Sequence, residues 1–490
     1  MRAMLPTLRL AVVVFWLGLL AFLYTGPDAP GGGVVTNDPP SAAAPAPREE
    51  TWMGVYIGER KIGYSHHRFV PEANGYRFEE QSLLRMRVLD TEQTIRVLAQ
   101  GTTGSDYALR AFVVSLASGV GTFEAEGVVE NDAIELTMRS GGEQTRQRLR
   151  LDKPLYVPVG AREQFARSGL SVGRQLTFDV FDPSSMQNHP LQLSVVAREP
   201  IPDASGTKDA WRVRETFRGI ETTVWFDEAG RVVREQGPMG LTTVRESAQQ
   251  ALAVGVSDDG AFDLMGAVAI PVEHPIANPR TLRRLEVRLK GITDAAVPVD
   301  ARQQRHGDIV QIEREDAPAT ETFVLPYRGA EWQRELEATP FLQVDHPRIR
   351  AAAAEALGSE SDAARAAERL RRWVFEHVRK VPTASIPNAL QVLTMGAGDC
   401  NEHAVLFAAL ARAVGLPSRV VAGTVYADGV FLYHAWNEVW LGSSWVSADA
   451  AFDQMPVDAT HIKFIEGGPE QHVAIVPLIG RLSIDVIGAS

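Results

Sequence analysis

The chain contains one cysteine, Cys400, in the run Gly398-Asp399-Cys400-Asn401-Glu402; His434 follows in His434-Ala435-Trp436, and then Asp449. A lone cysteine forms no intrachain disulfide, so it either packs or reacts. A thiol, an imidazole and a carboxylate are the parts of a nucleophile, its base and the group that orients the base. Two other readings stand beside this one. Free cysteine is often core packing. Cys400 and His403, three apart on a helix, could offer two zinc ligands, although no second cysteine completes a set and His403 reads equally as a neighbouring surface residue.

The elements that must position these side chains are legible nearby. From Cys400 onward, apolar residues recur at Ala404, Phe407, Leu410, Ala411 and Val414, the spacing of a helix. Asp399 suits its N-cap, Glu402 supplies the other half of a capping box, and Gly415 before Pro417 ends it. Cys400 then opens the helix, where unpaired amides and the macrodipole favour an anion. A thiol of lowered pKa is expected there, and the same amides could face an oxyanion.

Arg419 to Tyr426 reads as a strand, Asp428-Gly429 as a hairpin turn, and Val430 to Leu441 as the returning strand, with His434, Trp436, Glu438 and Trp440 on one face. Gly442-Ser443 makes a two-residue turn into Ser444 to Asp449. Leu441 then pairs with Ser444, and Asp449 lies diagonal to His434, about 7–8 Å away between backbones. A three-residue loop would turn Asp449 to the opposite face. Taken singly, His434 is an ordinary strand histidine and Asp449 a turn residue. Trp436 and Trp440 either wall a cleft or belong to the core.

These pieces, with Gly415-Leu416-Pro417-Ser418-Arg419, His434-Ala435-Trp436-Asn437-Glu438, Trp445 and Pro456-Val457-Asp458-Ala459-Thr460-His461, resemble the transglutaminase-like superfamily of cysteine enzymes. The resemblance runs from roughly Pro340 to the C-terminus, about a third of the chain. It implies a papain-like α+β fold with a catalytic triad of Cys400, His434 and Asp449. Where many members read Asp-Pro-Thr, this chain reads Asp449-Ala450-Ala451, which alters the turn at the aspartate. The implied activity is attack on a peptide or carboxamide carbonyl through a thioester. Hydrolysis is favoured, because amine transfer needs acceptor tunnels that exclude water. Protein-glutamine amine transfer and a non-catalytic envelope module are the alternatives. No cofactor is implied.

At 490 residues the chain has room for several domains. A net charge of -12 argues against nucleic acid as a partner. Residues 1–26 hold Arg2 and Arg9 and then an uncharged apolar run from Leu10 to Tyr24, which reads as an uncleaved signal anchor in preference to a cleaved signal peptide. Residues 27–48 form a Pro/Ala/Gly tether. Residues 49–250 alternate as short strands, predicting a curved antiparallel sheet, sandwich or open barrel, with one helical stretch at Ala161 to Arg167. A small β segment covers 265–325, and residues 326–490 form the catalytic domain. The expected architecture is thus multidomain, β-rich and then α+β, tethered to the cytoplasmic membrane on its outer, periplasmic side, with a peptide or protein of the cell envelope as substrate.

Positive residues before the apolar run and none until Arg48 place the bulk of the chain outside the membrane. External protease acting on permeabilised cells is therefore expected to cut within residues 27–48, and the intact protein to sediment with membranes. Protection until the inner membrane is broken would reverse the orientation, and a soluble product starting after Tyr24 would make the segment a cleaved leader.

Overall fold

The computed structural model describes residues 49–490 except 89–90, 119–120, 141–142, 183–184, 186, 204–205, 255–261, 293–296, 317–321 and 382–387. The apolar run and the tether lie outside the described residues, among which no helix is long and apolar enough to cross a membrane.

Between Glu49 and Glu246 the alternation of apolar and polar residues builds one antiparallel sheet of fourteen strands. Nearly every strand pairs with its neighbours in sequence, and the exception closes the ring of connections: Glu49–Ile57 pairs with Leu241–Glu246, the first strand with the last. The two edge strands, Glu143–Arg150 and Gln175–Asp182, are consecutive in sequence. The segment joining them bonds on both sides: Leu109 N–H donates to Leu155 O at 2.7 Å, and Tyr156 exchanges bonds with Asp179 and Phe181 at 2.9 and 3.1 Å. The sheet therefore curls and closes through this segment as an open barrel.

Helix Pro158–Arg167 lies inside the curl. Proline at its first turn costs no hydrogen bond, and Arg162, Glu163 and Phe165 are buried. Arg162, with no exposed surface, donates from Nε and Nη2 to Glu215 at 2.7 and 3.1 Å and from Nη1 to Glu235 at 3.2 Å. Burial opposes its charge, but the two carboxylates hold it protonated. Of the adjacent histidines, His66 faces outward against Trp52 and Glu50. His67 points inward, where burial pushes it down to about 3.

The remainder of the described chain is α+β. Strands Arg284–Lys290, Gln303–His306 and Ile309–Glu313 form a four-stranded sheet completed by the C-terminal strand Ser483–Ala489. A five-stranded sheet runs Ile270–Pro271, Val430–Trp440, Ser418–Ala427, Ile462–Glu466, with Trp445–Ala448 added alongside Val430–Trp440. Helix Cys400–Ala413 packs on strands Ser418–Ala427 and Val430–Trp440, and helices Pro347–Leu357, Ala363–His377 and Ala389–Met395 pack against that helix. Asp362 caps the helix Ala363–His377 by accepting from the Arg365 amide at 3.0 Å, and the stripe of Ala367, Leu370 and Val374, at helical spacing, is buried.

Replacing Arg162 by alanine leaves Glu215 and Glu235 buried without their cation, which is expected to cost about 3–5 kcal/mol. Urea denaturation of the purified chain checks this. Glu215→Gln and Glu235→Gln added to Arg162→Ala should recover part of the loss, whereas an unchanged midpoint for Arg162→Ala would show that the cluster contributes nothing.

Candidate active site

Helix Cys400–Ala413 begins at Asp399, whose carboxylate accepts from the Asn401 amide at 3.1 Å while Glu402 returns a bond from the Asp399 amide at 3.0 Å. The capping box is complete, and Gly398 is what lets it close: a Cβ there would lie 2.3 Å from that of Glu402. The lead-in is tied by parallel pairing of Ala397–Gly398 with Arg379–Lys380. His403 is not at the surface as the sequence suggested. It is fully buried, with Nδ1 against Asp399 O at 2.5 Å and Nε2 facing Val378 O at 3.2 Å, so it supports the helix entrance.

The hairpin follows from its turn. Asp428 and Gly429 both have positive φ, 49° and 92°, the conformation that Asp-Gly adopts between twisted strands. The next turn gives the register that a two-residue loop implies, with Trp440 opposite Trp445, Asn437 opposite Ala448 and the Leu441 amide donating to Ser444 O at 3.0 Å. Asp449 therefore emerges on the His434 side, and His434 Nε2 lies 2.7 Å from Asp449 Oδ2. The other oxygen, Oδ1, accepts from the amides of Ala451 and Phe452 at 2.7 and 2.9 Å. The carboxylate thus organises the Ala450-Ala451 turn itself, and the missing Pro-Thr does not displace it. Asn437 donates to Ala404 O at 2.9 Å, fixing the strand to the helix. The Ala435 amide, next to His434, acts on the Cys400 thiol in the direction that favours its thiolate.

Three participants were not singled out from the sequence. His461, fully buried, places Nε2 3.1 Å from the same Asp449 Oδ2. Its Nδ1 lies 3.4 Å from Asp458, whose carboxylate also accepts from Arg280 at 2.8 Å and from the Thr460 amide at 2.9 Å. Asp458 and His461 belong to the run that carried the family resemblance, which gave a sequence signal without a role. Arg280 comes from the 265–325 segment and had none. His434, Asp449 and His461 also bring three possible metal-ligand atoms within 4.8 Å of one another, a convergence that the two hydrogen bonds account for.

Trp436 is core, 1% exposed, stacked on His434 at 6.2 Å and packed edge-on against His461 at 5.2 Å. Trp440 sits in a separate cluster with Trp332 and Trp445.

The electrostatics reverse one expectation. Burial pushes the Cys400 thiol well above its usual range, the Asp399, Glu402 and Asp449 carboxylates add to this, and the Ala435 amide opposes it. The helix N-terminus is outweighed, because no solvent reaches the sulfur and the carboxylates of the capping Asp399 and the first-turn Glu402 act in the same direction as burial. Burial also lowers His434 against the pull of Asp449. For Asp449, burial favours the neutral acid, but His434 and His461 outweigh it and hold the carboxyl well below the usual range. For His461, burial favours the neutral ring, but Asp458 and Asp449 outweigh it and raise its pKa.

Residues 350–450 match the sequence profile of the transglutaminase-like superfamily. Among curated proteins, none matches the chain. Solved structures that overlap it include one from Cytophaga hutchinsonii, provisionally named a cysteine protease, at 17% identity, TM-score 0.28, covering 43% of this chain and 85% of that one. A β-barrel-like protein of unknown function from Brucella abortus overlaps at 11% identity and TM-score 0.32, over 41% and 94% of the two chains. A Pseudomonas aeruginosa protein of another uncharacterised family does so at 15% and 0.22, over 34% and 87%. At these TM-scores none of the three bears on function. The chain carries a transglutaminase-like core at residues 350–450, and Cys400, His434 and Asp449 all lie within it.

Proposed function

We propose that the chain is a cysteine enzyme of papain-like arrangement that acts on peptide or carboxamide bonds, with Cys400 as nucleophile, His434 as base and Asp449 as the group that orients the base. The observation that carries this reading is the commitment of His434 Nε2 to Asp449 at 2.7 Å. An ionised carboxylate only accepts, so Nε2 carries the proton and Nδ1 keeps the lone pair. The amide of Ala435, the next residue, acts on the Cys400 thiol, and on this reading the Nδ1 lone pair is the one that meets it.

With the thiol raised and the imidazole lowered, the resting pair is neutral. The thiol proton passes to His434 Nδ1 as the sulfur–carbon bond forms, and Asp449 stabilises the imidazolium as it appears. That proton then goes to the leaving amine as the carbon–nitrogen bond breaks, and a thioester remains. Water, deprotonated by His434, releases the acid and restores the thiol; a primary amine would instead give a new amide. Hydrolysis is the preferred outcome. The substrate we assign is a peptide or protein of the cell envelope, with residues 1–26 holding the enzyme at the membrane through the signal anchor. A second reading, a non-catalytic assembly module, draws support from the complete burial of Cys400.

Two measurements test the chemistry. Dimethylcasein incubated with the enzyme, with and without dansylcadaverine, is read for cleavage, ammonia release and dye incorporation. Cys400→Ser and His434→Ala should be inactive, and Asp449→Asn should retain a trace, roughly 10³–10⁴-fold below wild type. Activity in Cys400→Ser equal to wild type would exclude the mechanism. Iodoacetamide at pH 7.5 should alkylate native Cys400 at least about 10-fold more slowly than the urea-unfolded chain, with the rate still climbing above the ordinary thiol range near about 8.5. Alkylation faster than that of a free thiol at neutral pH would mean a preformed thiolate–imidazolium pair.

A further inference from the structure

Asp449 Oδ2 accepts from two imidazoles, His434 at 2.7 Å and His461 at 3.1 Å, while Oδ1 is occupied by two backbone amides. A carboxylate so held has no freedom to rotate. His461 reaches it from the position just before strand Ile462–Glu466, and that approach depends on Gly423, the register partner of His434. A Cβ at Gly423 would lie 1.9 Å from Ile462 O, so any larger residue would push the strand carrying His461 away. Behind His461, Arg302 donates to the carbonyls of Asp458 and His461 at 2.7 and 3.2 Å, and Arg280 donates to the Asp458 carboxylate at 2.8 Å. Both arginines precede the matched core, so residues outside it fix the loop that presents His461. On its other side, the His461 ring meets His434 at 5.7 Å and Phe452 at 6.0 Å, and Arg280 lies over Phe452 at 4.4 Å.

We propose that His461 is a positioning residue for the reaction: bonded to the same carboxylate oxygen as His434, it fixes Asp449 and through it the tautomer and ring orientation of His434. This inference rests on the cysteine-enzyme reading for its kinetic consequence, and on the hydrogen-bond geometry alone for its structural one. Without His461 the carboxylate keeps its two amide donors but gains room on Oδ2, where water or a rotated His434 can enter. Turnover should suffer and substrate binding should not, because His461 is fully buried beneath the catalytic groups.

The test has two arms on the full chain. In the first, selectively ¹⁵N-histidine-labelled protein is observed by NMR for imidazole N–H protons in carboxylate hydrogen bonds. Two such resonances are expected in wild type, both lost or strongly shifted in Asp449→Asn. His461→Ala should remove one and move the other, that of His434. His461→Gln, whose amide can still donate to Oδ2, should return the His434 resonance towards its wild-type position. In the second arm, dimethylcasein turnover should show kcat lowered roughly 10–100-fold in His461→Ala with KM within about twofold, and most of kcat restored in His461→Gln. A His434 resonance and kcat both unchanged in His461→Ala would overturn the proposal. So would a rise in KM in both variants with the His434 resonance unmoved, which is what a merely structural role predicts. The NMR arm needs no substrate, so an inactive wild type would remove the enzyme reading while leaving the pairing of the two histidines through Asp449 to be decided on its own.

Discussion

A single carboxylate oxygen, Asp449 Oδ2, must accept two buried imidazole hydrogen bonds with almost no solvent contact. A buried charge is tolerated only when it is paired and its lone pairs are filled. Much of the C-terminal architecture meets that demand. The Gly442-Ser443 turn fixes the strand register that delivers Asp449 to the His434 face, the turn after it supplies two amides to Oδ1, and Gly423 lets a third strand come close enough to add His461. Changing any of these geometries would leave an acid in the core without enough donors.

The barrel solves a related problem with the sign reversed. There the buried charge is a cation, Arg162, carried inward by helix Pro158–Arg167 and met by Glu215 and Glu235 from the curled sheet. An antiparallel sheet of this length needs something to fill its concave side, and a helix bonded to facing strands both fills it and fixes the curvature. The pairing of Glu49–Ile57 with Leu241–Glu246 then brings the chain's entry into the barrel beside its exit towards the α+β part.

Local signals in the sequence carried local structure. Asp399 with Glu402 states a helix start, Asp428-Gly429 states a type I′ turn, and Gly442-Ser443 states the register that brings His434 and Asp449 together, because each is decided by a few dihedrals and one or two hydrogen bonds. The same holds for helix Ala363–His377, opened at Asp362 and buried along Ala367, Leu370 and Val374, which stand at helical spacing. What could not be read locally depended on distant pairing. Strand Ser483–Ala489 completes a sheet begun at Arg284, and Arg280 reaches Asp458 across 178 residues. His461 was visible as part of a motif but not as a partner of Asp449, since that contact is set by how two strands pack across Gly423. The thiol was misjudged for a different reason. The helix-terminus effect is real, but it amounts to a fraction of a charge and falls off within a turn, whereas burial removes the solvation of a whole one.

That balance bears on how such a site can be both stable and reactive. A preformed thiolate–imidazolium pair would add two more charges to a core that already contains Asp399, Glu402, Asp449 and Asp458, each buried. The desolvation penalty for such a pair runs to several kcal/mol per ion unless the surroundings are already arranged for it. Keeping Cys400 and His434 neutral at rest avoids that cost in the folded ground state. On the proposed mechanism, charge separates only as the sulfur–carbon bond forms, when the sulfur's negative charge moves to an oxyanion and the imidazolium faces a carboxylate already fixed for it. Oriented donors contribute most at that moment, because they need no reorganisation. On that mechanism, the rigidity of Asp449, held by two amides and a second histidine, is the property that would let an otherwise unreactive neutral pair serve as a nucleophile and its base.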